Sequence, residues 1–214
     1  MLFLISMALS VFGNLTISGI IAGKDYLPDV HAQQFSYSIA TLALLFNSFG
    51  VLGIGLLSYS LLKTTNRTIA RTYLVTRIFE GTVLAVGIIF LLSVVFFANQ
   101  TNEAINEPDP NYYMMANYAI RLNCYSYHIA MATLGLGSIP FCAILLKHKI
   151  VPGFLSILGL IGYMVLAISS LVGLAGTDLG LLVAIPVFFF EVILGIWLII
   201  KGIRPAMVER TVHS

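Results

Sequence analysis

Charge is what this sequence has least of. Only 9% of its 214 residues are Asp, Glu, Lys or Arg, where a soluble domain carries about 25%. So little charge cannot cover a surface that faces water on all sides. An ordinary cytosolic enzyme, a nucleic-acid binder and a disordered chain are therefore excluded. The net charge of +2 is too small to imply an acidic partner. Cysteine is nearly missing as well. Cys124 and Cys142 stand 18 positions apart on one predicted helix, about 27 Å along its axis. A disulfide needs Cα atoms within about 7 Å, so the two cannot join. Neither belongs to a CxxC pair, and both read as small buried apolar residues. There is no GxSxG, no Walker sequence, no dinucleotide fingerprint, no HExxH and no paired haem histidines. No cofactor and no metal is expected.

What the chain does have is apolar length. Hydrophobic residues make up 59% of it, and the mean hydropathy is +0.98. A helix crosses the hydrocarbon with about 20 apolar residues, and only helices or closed barrels satisfy their backbone there. The runs are long and unbroken, without the alternation of barrel strands. The fold class is therefore all-α: a polytopic transmembrane bundle of about six spans in a single domain, residues 1–214. The spans fall at about 2–23, 37–62, 73–98, 113–146, 152–175 and 181–200. The first lacks the basic lead of a secretory signal and is long enough to cross, so it reads as a retained span. With no Lys or Arg before it, the true start is open to lie upstream. Lys24–Ser36 and Asn99–Asn111 read as exposed polar loops. The second holds Glu103, Glu107 and Asp109, and its Asn99-Gln100-Thr101 fits a glycosylation sequon that matters only in a eukaryotic secretory pathway.

Basic residues orient the bundle. Lys63, Arg67 and Arg71 lie between spans two and three, and Lys147 and Lys149 between four and five. Lys201, Arg204 and Arg210 follow span six. The opposite loops hold Lys24 alone against Asp25, Asp29, Glu103, Glu107 and Asp178. Both termini are expected on the cytoplasmic side.

Ionisable residues at membrane depth are the candidates for function, because each costs about 2.5–3.5 kcal/mol to insert. They are Arg77 and Glu80 on the third span, Arg121 and His128 on the fourth, and Glu191 on the sixth. Arg77 and Glu80 are spaced i,i+3 on one face, with Arg77 in the first turn, where its head could snorkel. Glu80 and Glu191 lie about 10 and 14 Å from the basic ends and His128 about 27 Å, so the three form an awkward cluster. Arg121, Tyr125 and His128 share a face that Asn117 extends outward; the stripe reads either as a cleft lining or as interhelical glue. His128 reads as a structural imidazole or a proton carrier. Glu191, in PVFFFEVILGIW, needs a partner: Arg77, or a polar group such as Asn47 or Asn14. Gly19xxxGly23 and Gly50, Gly53 and Gly55 allow close packing. Tyr112, Tyr113, Tyr163 and Trp197 fit interface belts.

Three segments, RTYLVTRIFEGTVLAVG, YHIAMATLGLGSIPFCAILLKHKIVPGFLSILGLIGY and FFFEVILGIWLIIKGI, together resemble the prokaryotic multi-pass membrane family called domain of unknown function 4386. The resemblance runs from about Leu2 to Arg204. It carries the Arg77/Glu80 pair, His128, Glu191 with Trp197, and Lys201-Gly202. It implies a bacterial or archaeal inner-membrane protein and no particular activity.

Three functions fit these residues. One is a non-catalytic accessory or structural module in which the ionisable groups are glue. Another is a small transporter-like protein in which they bind a proton or small polar solute. The alternative is an intramembrane enzyme acting on a lipid or lipid-linked substrate, with His128 as general base and Arg121 holding an anionic headgroup. The balance leans away from an enzyme. The expected partners are the lipid bilayer and a proton or solute, not nucleic acid.

Overall fold

The computed structural model describes residues 1–103, 110–177, 183 and 185–201. All regular structure among them is helical. Seven helices follow in order: α1 (Leu2–Ile20), α2 (Tyr26–Ala32), α3 (Gln34–Leu62), α4 (Arg67–Glu103), α5 (Pro110–Lys147), α6 (Gly153–Leu174) and α7 (Ile185–Lys201). Five of them, α1, α3, α4, α5 and α6, are long and apolar enough to cross a membrane. The apolar stretch of α7, Ile185–Ile200, is shorter. Glu107, Asp109 and Asp178 lie outside the described residues, as do the expected start of the sixth span at Leu181 and Gly202, Arg204 and Arg210.

Two expected loops are largely helix. Lys24–Ser36 folds into α2 and the start of α3. Pro28 sits in the first turn of α2, where its missing N–H is no loss, and Tyr26, Leu27 and Val30 turn inward. The Asn99–Asn111 loop is shortened from both sides, because α4 continues to Glu103 and α5 begins at Pro110. Its Asn99 and Asn102 are fixed by side-chain contacts to His31. α5 runs on through Pro140.

α4 packs between α3 and α5, α6 lies on α5, α1 on α3, and α7 against α6 and α1. Two clusters fill the interior. One, beside the basic loops, gathers Leu62, Ala70, Tyr73, Leu145, Leu155 and Phe190. The other, beneath α2, gathers Ile17, Leu27, Val30, Val94, Ala98 and Ala116. Large apolar side chains cover the outside: Phe46, Val75, Ile89, Phe96 and Ile168 are each about 60% exposed. Such a surface suits a lipid solvent and not water. α1 approaches α3 through Gly13, where an added methyl would meet the carbonyl of Ala40. The expected Gly19xxxGly23 contact is not made, since nothing stands within 4 Å of a methyl at Gly19.

Candidate functional site: one arginine between two carboxylates

Arg77 is the focus of the interior. It is 2% exposed, so it does not snorkel. α4 begins before the expected span, at Arg67. That puts Arg77 about 15 Å along the helix. α3 comes up directly behind it at Gly55, where a methyl would fall 2.7 Å from the Cβ of Arg77. Only a residue without a side chain lets α3 seal this position.

All three guanidinium nitrogens are used. Nε donates to the Tyr73 hydroxyl at 2.9 Å, one turn back on α4. Nη1 donates to Glu80 Oε2 at 3.1 Å, one turn forward. Nη2 reaches Glu191 Oε1 on α7 at 3.2 Å and the Tyr163 hydroxyl on α6 at 3.5 Å. Tyr163 in turn donates to the same Glu191 Oε1 at 2.9 Å. The Arg77 head also lies 5.1 Å from the centre of the Tyr73 ring, a cation–π contact. That ring stacks on Phe141 of α5 with centroids 4.2 Å apart.

The arrangement joins α4, α6 and α7 through one cation. Along α6 it stands about halfway, at the eleventh of 22 residues, and on α4 it stands in the part nearer the basic loops. With both acids ionised, one guanidinium faces two carboxylates and leaves one negative charge in excess. The two acids differ in access. Glu80 is 3% exposed in its side chain and Glu191 is 20% exposed. On Glu191 both donors meet Oε1, and the described residues bring no donor to Oε2.

Sequence spacing found part of this site. It paired Arg77 with Glu80, and it named Arg77 among the possible partners of Glu191. The other two named partners are occupied elsewhere: Asn47 accepts from Ser6 at 2.5 Å and Asn14 donates to the carbonyl of Ser10. Tyr163 was assigned to an interface belt, but it is fully buried in the site. Tyr73 was missed altogether. Its signal was available, since Tyr73, Arg77 and Glu80 repeat at i, i+4 and i+7 on one face.

The domain-of-unknown-function profile DUF4386 matches residues 1–202. The chain belongs to that family. No curated protein and no solved structure is matched by it. The DUF4386 match takes in every residue of the buried cluster, from Tyr73 to Glu191.

The second predicted constellation of this DUF4386 chain stays apart from the first. Arg121 and Tyr125 are exposed on α5, and Arg121 lines a shallow surface pocket with Met114, Asn117 and Tyr118. Asn117 accepts from the Tyr26 hydroxyl at 3.0 Å. His128 packs its ring on α6 at Gly173, where a methyl would stand 2.6 Å from Nδ1. That nitrogen is buried without a hydrogen-bond partner. Cys142 is buried as expected, whereas Cys124 is exposed. Among the described residues, no three His, Cys, Asp or Glu side chains converge as metal ligands would.

Proposed function

We propose that this DUF4386 protein is a non-catalytic module of a prokaryotic inner membrane, in which the Arg77 cluster latches α7 onto the bundle. In this reading all six apolar helices cross, and both ends lie on the cytoplasmic side with the basic loops. The observation that carries it is the double bond to Glu191 Oε1, from Arg77 of α4 and Tyr163 of α6. α7 is short, and Glu191 is the only acid on it. An ionic anchor compensates for limited packing area.

The chain's one tryptophan, Trp197, sits on the same helix, partly buried against the basic-end core. It reports whether α7 is docked. Glu191→Ala removes the carboxylate shared by Arg77 Nη2 and the Tyr163 hydroxyl, and should lower the unfolding midpoint in mild detergent and shift Trp197 emission to the red. Glu191→Gln keeps an oxygen for both donors and should preserve the emission. Unchanged emission and midpoint in Glu191→Ala would overturn the latch.

A second reading, a small transporter-like protein that carries a proton, is favoured by Glu191 Oε2. An accessible carboxylate oxygen that receives no donor from the described residues is a feature that a proton path through the bundle would need. Proton uptake by proteoliposomes, present in wild type and lost in Glu191→Gln, tests it; equal uptake in both removes it. The intramembrane-enzyme alternative draws no support from His128, whose ring is packed on Gly173 away from the other buried ionisable groups.

A further inference from the structure

The basic end of the bundle holds cations that the protein leaves unanswered. Arg67 and Arg71 lie one turn apart on α4, and both are exposed. Neither has an ion pair among the described residues. The described acids cannot serve them. Glu80 and Glu191 are already held by Arg77, Asp25 and Asp29 flank and belong to α2 at the opposite end, and Glu103 ends α4 36 residues beyond Arg67. Lys63, Lys147 and Lys149 stand at the same end and add charge of the same sign.

The stripe continues inward as apolar surface. Val75 and Phe79 follow Arg71 at four-residue spacing and are 63% and 46% exposed. Helical neighbours at i,i+4 stack along one face, so two guanidiniums lead into two apolar side chains. Between α4 and α5 this face forms a shallow, open groove of about 500 Å³, lined by Arg71, Thr72, Val75, Thr76, Phe79 and Thr133. The threonine hydroxyls donate to carbonyls of their own helices, which leaves no competing donor or acid in the groove. A cationic head above an apolar trough is the complement of one molecule, an anionic glycerophospholipid.

We infer that Arg67 and Arg71 bind the headgroup phosphate of an anionic phospholipid whose acyl chain lies along Val75 and Phe79. Guanidinium suits a phosphate because its donors meet two oxygens at once. The site uses no residue of the buried cluster, so it stands whatever the role of Arg77.

The test uses the full chain, stripped of lipid in mild detergent and titrated with short-chain phosphatidylglycerol or phosphatidylcholine under native mass spectrometry. Phosphatidylglycerol should be retained more tightly. Arg67→Gln and Arg71→Gln should each weaken it about fivefold, as expected for one cation near an anionic headgroup, and leave phosphatidylcholine unchanged. Both side chains are exposed, so the unfolding midpoint should hold. Lys147→Gln, at the same end but at the last residue of α5 and off the Arg67–Phe79 stripe of α4, should leave retention as it is. Equal retention of the two lipids would overturn the site. An equal loss from Lys147→Gln would reduce it to general surface charge and overturn it too. If glycerol 3-phosphate, which has the phosphate and no acyl chain, competes as well as phosphatidylglycerol, the ligand is a soluble phosphate and the lipid assignment fails.

Discussion

The two halves of this bundle solve the burial of polar groups in opposite ways. Beside the basic loops, α4, α6 and α7 meet on full charges: Arg77 with Glu80 and Glu191, wrapped by two tyrosines. Under α2, the helices meet on neutral groups. Tyr26 bonds to Asn117, Tyr37 donates to the carbonyl of Leu91, and His31 lies between Asn99 and Asn102. Neutral pairs are removable at modest cost, about 1 kcal/mol each. A buried charge whose partner is removed costs about 3–5 kcal/mol. The ionic half is therefore the one that commits the fold, and the neutral half trims it.

The sharpest way to break that contrast is at its centre. Arg77→Ala leaves Glu80, buried, and Glu191, partly buried, without their shared cation. It should lower stability by about 3–5 kcal/mol, read as the unfolding midpoint in mild detergent. Arg77→Lys should recover only part of the loss, because one ammonium cannot reach Tyr73, Glu80, Tyr163 and Glu191 together. If Arg77→Ala costs no more than removing a hydroxyl under α2, the two halves do not differ in kind.

A smaller effect is expected where α5 meets α6, toward the neutral half. Gly173→Ala drives a methyl into the His128 ring, and overpacking of this sort costs about 1–3 kcal/mol. The loss should disappear in the double variant Gly173→Ala with His128→Ala, where the space is returned. No rescue would mean that the ring and the glycine are not in contact. Persistence of the fold in His128→Ala alone would agree with an imidazole that packs and does not bind.

The sequence and the structure agree where composition or local spacing decides. Long apolar runs with interrupting basic clusters gave the helices, and the i,i+3 spacing gave Arg77 with Glu80. They part where the answer lies between distant segments. Tyr163 looks like a belt residue because tyrosine is common at interfaces, and nothing in GLIGYMVLA says that an arginine 86 positions earlier faces it. Glu191 had three named partners, and only packing chooses between them. Arg77 reads as a first-turn residue when its helix is started at the first apolar residue, Tyr73; the polar turn before it, Arg67 to Thr72, is also helical. α2 was missed because its length is too short for a periodic signal, and its inward face of Tyr26, Leu27 and Val30 exists only once α4 is there to cover it.

The least disruptive prediction concerns that cover. Tyr26 is 5% exposed and its hydroxyl donates to Asn117. Burial first, and then its neighbour Tyr113, pushes its ionisation from 10.0 up to about 12. The folded state thus holds this proton more tightly than the unfolded chain. The stability this contributes is complete below about pH 10 and is lost as the pH rises through about 12. Tyr26→Phe keeps the ring and removes the hydroxyl, so it should cost about 1 kcal/mol at neutral pH. It should also delete one late step from the phenolate absorbance titration. A phenolate that titrates near 10.0 in the folded protein would show α2 loosely seated, and the neutral half would then be a mobile cap in place of a packed counterpart to the ionic one.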